Sequence, residues 1–277
     1  MTGKPPAAQL AYGTSTPCRS AWISLLRFTL SILLIGLLST LLFTPWVKLP
    51  AWKVFRRSAS IAAALSLWLC ATLYEHRSLR SYGLAGAGKR PLLFGLLLGT
   101  GALALLFAVG LATGICRIDL IPDRLRLWST LIGFLPAALL VGLLEELVFR
   151  GFILQHLLPC SRTLAVVGSS AAYALVHLKS SMQVADAMPE LVGLFLLGGV
   201  LAVSYLKTNR LYCAIGLHAV LAYGARINKL VVAFQAPELS WLIGTSRLVN
   251  GVASWIVLLG IGALIVRWAP TDTTRAG

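Results

Sequence analysis

Acidic residues are scarce in this 277-residue chain: it contains 9 Asp and Glu residues against 24 Lys and Arg residues, and only 12% of its residues are charged. Hydrophobic residues make up 58%, which excludes a soluble domain with an ordinary polar surface. A transmembrane α-helix needs roughly 20 apolar residues, whereas a membrane β-barrel shows short strands of alternating polarity. Because long runs of Leu, Ala, Val, Ile and Gly dominate here, the sequence predicts an all-α, polytopic membrane protein.

The apolar segments number about eight, and each is expected to form a transmembrane helix. The residues before them, 1–21, are polar and contain Pro and Gly, so we expect a flexible tail rather than a cleavable signal. No internal repeat stands out, and residues 1–277 are predicted to form a single integral membrane domain. The segments cover residues 28–46, 58–74, 91–115, 128–149, 163–178, 189–206, 211–225 and 250–268.

The net charge of +15 would suggest a nucleic-acid partner in a soluble protein. Here, however, Lys and Arg lie mostly between the apolar runs, where they meet anionic lipid headgroups, so we predict the lipid bilayer as partner and no nucleic acid. The consecutive loops 48–57 and 75–90 are both basic, so charge does not fix the membrane orientation. Residues 117–128 mix charge with Leu, Ile and Trp, which is typical of an interfacial helix or an amphipathic connector.

Several catalytic motifs are missing. The chain has no H-E-x-x-H motif of zinc proteases, no G-x-S-x-G nucleophile motif and no paired membrane aspartates. None of its cysteines forms a C-x-x-C pair, and we interpret Cys70, Cys116 and Cys213, which lie in or beside apolar segments, as packing residues. Among hydrolytic mechanisms, water activated by Glu and His remains.

An ionisable residue at membrane depth costs several kcal/mol unless it is paired or hydrated, and we single out five residues in or next to the apolar segments as candidates for a functional site. They are Glu145, Glu146, Arg150, His177 and His218. Glu146 and Arg150 are four residues apart, so they share one helix face and can form a charge-assisted pair. Glu145 points about 100° away and is left for another partner. A carboxylate in an apolar, partly dry site is suited to act as a general base, and a nearby imidazole could share its water.

Structural alternatives exist for the individual residues. Glu146 and Arg150 could be a buried pair that locks helix register, and His177 could be a satisfied residue near a helix end. His156, just past the fourth segment, and His76, in a basic loop, are expected to be solvated. The diacid and the two intramembrane histidines together favour a functional site.

The motifs around these residues resemble those of the CPBP family, intramembrane proteases that include the CAAX prenyl endopeptidases of the Rce1 type and bacteriocin-processing (Abi) relatives. EELVFR at 145–150 matches E-E-x-x-x-R, and YALVH at 173–177 resembles F-x-x-x-H with Tyr173 in place of Phe. HAVLA at 218–222 occupies the place of H-x-x-x-N. Order and spacing agree over residues 128–225, the predicted catalytic core.

The resemblance implies a water-bearing cavity and a role for each residue. Glu145 with His177 would activate the hydrolytic water, and His218 would stabilise the oxyanion. Glu146 and Arg150 would hold the site in shape. We expect no metal or other cofactor; zinc held by the two Glu and two His is the alternative.

The sequence departs from the family at position 222. Where the family usually has Asn beside the oxyanion, this chain has Ala222, whose side chain donates no hydrogen bond. Losing one such donor can lower the rate roughly 100- to 1000-fold. Either Tyr223, Asn228 or a backbone amide replaces it, or the activity is reduced.

The predicted function is therefore an intramembrane endopeptidase that cuts near a membrane-anchored or C-terminal segment of a protein or peptide substrate. Two alternatives stay open. One is a non-catalytic scaffold or immunity factor on the same fold, which Ala222 favours. The other is a proton-coupled transporter in which Glu145, His177 and His218 relay protons. Short loops favour the bacterial inner membrane, while the substrate and the oligomeric state are left open.

Overall fold

The computed structural model describes residues 18–178, 184–244 and 248–269, which form ten α-helices and two short strands. A π-helical stretch, Cys70–Tyr74, extends α2, and a second one, Leu147–Leu154, joins α4 to α5. The helices are α1 (Cys18–Phe43), α2 (Ala51–Leu69), α3 (Lys89–Ala112), α4 (Arg124–Glu146), α5 (Gln155–Leu157), α6 (Arg162–Val176), α7 (Val184–Thr208), α8 (Tyr212–Val231), α9 (Ser240–Ile243) and α10 (Val252–Trp268), and the strands are β1 (Cys116–Ile118) and β2 (Val232–Phe234).

The all-α, polytopic prediction is confirmed, because each of the eight apolar segments corresponds to one of the longer helices. In the described part of the chain, four helical spans are long and apolar enough to cross a bilayer: Cys18–Phe43, Lys89–Ala112, Arg124–Leu157 and Ala187–Thr208. Leucines on α1, such as Leu26 and Leu34, each 58% exposed, form a surface that suits lipid rather than water. The first helix begins at Cys18, so the last residues of the predicted tail are helical; residues 1–17 lie outside the described part of the chain.

The connector before α4 is extended rather than helical, so the interfacial-helix alternative for residues 117–128 is wrong. Strand β1 pairs antiparallel with β2, with Arg117 opposite Ala233. Pro122 disfavours helical backbone in the residue before it. The next residue, Asp123, accepts a hydrogen bond from the backbone N–H of Arg126 at 2.9 Å, which caps α4 and starts it there.

Contacts between the loops show which loops lie at the same end of the helix bundle. At one end, called here the disulfide end, Cys18 is bonded to Cys160 and the backbone N–H of Leu211 donates to Gly83. The opposite end, called the strand end, holds the β1–β2 pair. The eight longer helices therefore alternate in direction, and α1 begins at the same end at which α10 finishes.

Helix α8 lies at the centre of the site-bearing half and packs closely on α3 and α4. Gly95 of α3 packs against the backbone of α8, and Gly216 of α8 packs against the backbone of α3. A Cβ atom added at either glycine would overlap the backbone of the other helix. Gly142 of α4 is similarly close to α8, since its added Cβ would lie 3.1 Å from the carbonyl oxygen of Ile215. Small residues thus let three helices approach closely, as is common in membranes.

The Cys18–Cys160 disulfide was not predicted, because its cysteines are 142 residues apart in sequence. Cys70, Cys116 and Cys213 are buried free thiols, as their interpretation as packing residues requires. Disulfides persist in oxidising compartments and are rare in the cytosol. The disulfide end should therefore face an oxidising compartment and the strand end a reducing one.

Replacing Cys18 with Ser tests this orientation, because it leaves Cys160 as a half-buried free thiol at the disulfide end. A membrane-impermeant maleimide added to intact cells should label Cys18→Ser and leave the native chain unlabelled. The double variant Cys18→Ser/Cys160→Ser is the matched control and should stay unlabelled, since the other thiols are buried. Labelling of Cys18→Ser only after the membrane is opened would contradict the orientation.

Candidate functional site

The four acid and histidine side chains predicted for the site come from three helices that meet inside the bundle. Glu145 and Glu146 end α4, and His218 lies inside α8. His177 follows directly after α6, whose 15 residues span only about 22 Å at 1.5 Å per residue. This length is less than the roughly 30 Å of a hydrocarbon core, so α6 ends at membrane depth and carries His177 there.

Glu146 and Arg150 form the predicted pair, and the pair has two further partners. Arg150 Nη1 donates to Glu146 Oε1 at 2.8 Å, and both side chains are completely buried. The same oxygen lies 2.8 Å from His218 Nδ1. Arg150 Nη2 donates to the carbonyl oxygen of Gly198 in α7 at 3.0 Å. The pair thus joins α4, α7 and α8 at one point.

Glu145 points away from this pair and faces both histidines. Its Oε2 atom lies 3.4 Å from His177 Nε2 and 3.6 Å from His218 Nε2. The side chains of Glu145 and His177 are 26% and 31% exposed, whereas that of His218 is 5% exposed. Glu145 and His177 can therefore reach water or substrate, while His218 is held deeper.

Hydrogen-bond partners fix the tautomers of both histidines. His177 Nδ1 lies 2.8 Å from the carbonyl oxygen of Tyr173, which can only accept, so Nδ1 carries the proton. His218 Nδ1 likewise donates to the Glu146 carboxylate. In the neutral rings, both Nε2 atoms then present lone pairs toward Glu145. A shared proton or a water molecule between Glu145 and these nitrogens is needed to avoid repulsion.

A cavity of about 250 Å³ lies against this cluster. Its lining includes Glu190 near the start of α7, Lys229 near the end of α8 and Ser254 near the start of α10, all in the halves nearer the strand end. The rest of the lining is mostly apolar. The lining residues are Ala102, Leu106, Val141, Glu145, Tyr173, His177, Glu190, Leu194, Leu197, His218, Leu221, Ala222, Ala225, Lys229, Leu248, Val249, Ser254, Val257, Leu258 and Ile261.

Tyr173 belongs to this cavity although the sequence marked it only as a departure from F-x-x-x-H. Its hydroxyl lies 3.5 Å from His218 Nε2. The i, i+4 spacing to His177 puts both on one helix face, which was the available signal. Tyr223 and Asn228, the side chains expected to replace the family's Asn, do not line the cavity. Tyr223 donates to the carbonyl oxygen of Leu131 at 2.9 Å, and Asn228 is buried elsewhere.

His156 is not solvated, so that expectation is wrong, whereas His76 is exposed as expected. The Nε2 atom of His156 lies 2.8 Å from Glu75 Oε1, and the Tyr82 hydroxyl donates to Glu75 Oε2 at 2.6 Å. Burial raises the pKa of Glu75, but the hydrogen bond and charge of His156 and the Tyr82 hydroxyl outweigh it, so the pKa lies below its usual value. This network stabilises the disulfide end, away from the cavity.

The fold and the cluster define a class of protein: a polytopic helical membrane protein with a diacid and two histidines beside an internal cavity. Residues 127–223 match the family of Rce1-like type II CAAX prenyl endopeptidases, so the resemblance to CAAX proteases is confirmed over this region. The match runs from α4 to α8 and contains all five predicted site residues. It indicates a membrane protease. No curated protein and no solved structure matches the chain.

The catalytic roles of the five residues stay predictions, as does the absence of a cofactor. Within the described ranges, no group of three or more His, Cys, Asp and Glu side chains has the arrangement of a metal site.

Arg150→Ala should destabilise the protein strongly, because it leaves the Glu146 carboxylate buried without its cation. Breaking a buried pair in this way costs about 3–5 kcal/mol. The matched control is Arg117→Ala, which removes the exposed Arg117–Asp119 pair, 3.2 Å apart, and should cost less than about 1 kcal/mol. Thermal unfolding in detergent compares the two variants. Equal unfolding temperatures would contradict a structural role for the buried pair.

Proposed function

We propose that the protein is an intramembrane endopeptidase that hydrolyses a peptide bond near a membrane-anchored or C-terminal segment of its substrate. The observation that supports this most directly is the position of Glu145. Its Oε2 atom lies within 3.4–3.6 Å of two imidazole nitrogens, and the residue lines a mostly apolar cavity. A carboxylate so placed can accept a proton from water.

In the proposed mechanism, Glu145 and His177 hold the attacking water between them. Glu145 takes one proton as the water oxygen bonds to the carbonyl carbon of the scissile peptide. The π electron pair of the C=O bond moves onto its oxygen, which becomes an oxyanion. The hydrogen bond from His177 Nδ1 to the Tyr173 carbonyl oxygen keeps Nε2 directed at Glu145, so the water is held in one orientation.

The second step breaks the C–N bond. The oxyanion re-forms the carbonyl, and Glu145 returns its proton to the leaving nitrogen, which gives a new carboxyl terminus and an amine. His218 faces the reacting atoms with Nε2 while Glu146 accepts from its Nδ1. With a proton on Nε2, His218 would donate a hydrogen bond to the oxyanion, while its Nδ1 stays bound to Glu146.

The cavity supports a membrane-embedded substrate. Its mostly apolar wall accepts a hydrophobic segment, and about 250 Å³ excludes a folded domain. A peptide segment that is already held in the bilayer would reach the site without passing through water. We propose the bacterial inner membrane as the location, with a membrane-anchored protein or peptide as partner.

One observation favours a non-catalytic scaffold on the same fold as the second candidate. Ala222 lines the cavity one helical turn after His218, so a hydrogen-bond donor is missing from a wall of the site. In such a scaffold the diacid and the histidines would hold the helices together without reacting. Its partner binding would not depend on Glu145.

Glu145→Gln tests the proposed function, since it removes the base and keeps the shape of the side chain. C-terminal peptides of membrane proteins are compared by mass spectrometry between cells with the native chain and cells with the variant. Cleaved termini should appear only with the native chain and fall at least about 100-fold in the variant. The same change at an exposed acid, Glu238→Gln, is the control and should keep the cleaved termini. Identical termini with inserted Glu145→Gln would favour the scaffold.

Metal chelation tests the expected absence of a cofactor. Membranes that contain the native chain and the protein whose terminus changes are treated with EDTA and 1,10-phenanthroline. The cleavage rate should change less than about twofold if Glu145 and His177 activate the water without a metal. Loss of cleavage that zinc restores would contradict this and support zinc held by the acid and histidine side chains.

A further inference from the structure

We infer that the hydroxyl of Tyr173 donates the oxyanion hydrogen bond that Ala222 cannot supply. This inference rests on the proposed function and assigns a further catalytic residue to that reaction. Tyr173 on α6 and Ala222 on α8 both line the cavity. The hydrogen-bond donor would thus come from α6 instead of α8 and would serve the same site.

The position of the hydroxyl fits this role. Tyr173 lies beside both histidines, with its ring centroid 4.5 Å from that of His177 and 5.7 Å from that of His218. Its oxygen is 3.5 Å from His218 Nε2, which in turn is 3.6 Å from Glu145 Oε2. When water held by Glu145 attacks a carbonyl carbon and His218 stabilises the oxygen of that carbonyl, the oxygen would therefore lie within reach of the phenol.

The hydroxyl is also not engaged by a strong partner. At 3.5 Å its contact with His218 is much longer than the usual O–H hydrogen bond. The hydroxyls of Tyr82, Tyr212 and Tyr223, by comparison, donate at 2.6, 2.6 and 2.9 Å. Those hydroxyls are held by short hydrogen bonds, whereas Tyr173 lines the cavity and its hydroxyl has a long contact with His218.

Neighbouring side chains fix the ring so that the donor is in place before the reaction. Phe149 packs edge-on against it at 5.2 Å between centroids, and the Arg150 guanidinium lies 4.8 Å from the ring centroid. The side chain is 2% exposed, and the residue's own carbonyl accepts from His177. A donor held in this way needs little reorganisation when charge develops, which is the condition for effective oxyanion stabilisation.

The chemistry leaves the phenol unchanged. As the water oxygen bonds to the carbonyl carbon, the electron pair of the C=O bond moves to the oxygen, and the Tyr173 hydroxyl donates a hydrogen bond to that charge. The phenol keeps its proton throughout, because the proton that reaches the leaving nitrogen comes from water through Glu145. The donor lowers the barrier and is not consumed.

The test restores the residues of the family at both positions. Tyr173→Phe removes only the hydroxyl and should slow the accumulation of cleaved C termini in cells about 100- to 1000-fold at matched expression. Adding Ala222→Asn to that variant should recover at least about tenfold of the loss. A purely structural role for Tyr173 would give no such rescue, since an amide side chain on α8 cannot replace ring packing on α6. Tyr223→Phe, which removes a hydroxyl outside the cavity, should keep at least half the rate.

The outcomes distinguish this inference from the function on which it rests. If Glu145→Gln is inactive and Tyr173→Phe keeps half of the native rate or more, the role of Tyr173 is overturned and the proposed function stands. A slow Tyr173→Phe that Ala222→Asn fails to rescue also overturns the inference. If the native chain and Glu145→Gln give identical termini, the proposed function fails and this inference fails with it.

Discussion

The buried carboxylate of Glu146 is the constraint on which the site depends. One of its oxygens accepts from Arg150 at 2.8 Å and lies 2.8 Å from His218 Nδ1, with no exposed surface on either charged side chain. A carboxylate at this depth is tolerated only with such partners. Because the partners come from α8 and, through Arg150, from α7, satisfying one charge also sets the distance between three helices.

This constraint separates the roles of two adjacent carboxylates. Glu146 binds Arg150 and His218 through one carboxylate oxygen, and the helix turn directs Glu145 to the other side, where it faces two imidazoles and the cavity. His218 links the two carboxylates, since one of its nitrogens binds Glu146 and the other faces Glu145. A single histidine therefore connects the buried pair to the partly exposed Glu145.

Much of this could be predicted because the signals are local. Helix period explains the Glu146–Arg150 pair, and hydropathy explains the eight helices. The features that were missed depend on contacts between distant parts of the chain. Glu75 reaches His156 across 81 residues, and the disulfide spans 142. No clear sequence pattern predicts the π-helical stretch after Glu146. Tyr173 was interpreted only as an aromatic replacement of Phe, because the position of its hydroxyl becomes known only in the folded structure.

The two ends of the bundle differ in a way that suits the proposed hydrolysis of a membrane-held substrate. The disulfide end is joined covalently and by the network of Glu75, Tyr82 and His156. The cavity instead extends from the cluster toward the strand end, where its lining includes Glu190 and Lys229. A hydrolytic site needs fixed catalytic groups together with a path for water and peptide. The disulfide and the hydrogen-bond network at one end can hold the catalytic groups in place, while the cavity toward the other end can admit water and peptide. Both requirements are then met within one membrane domain.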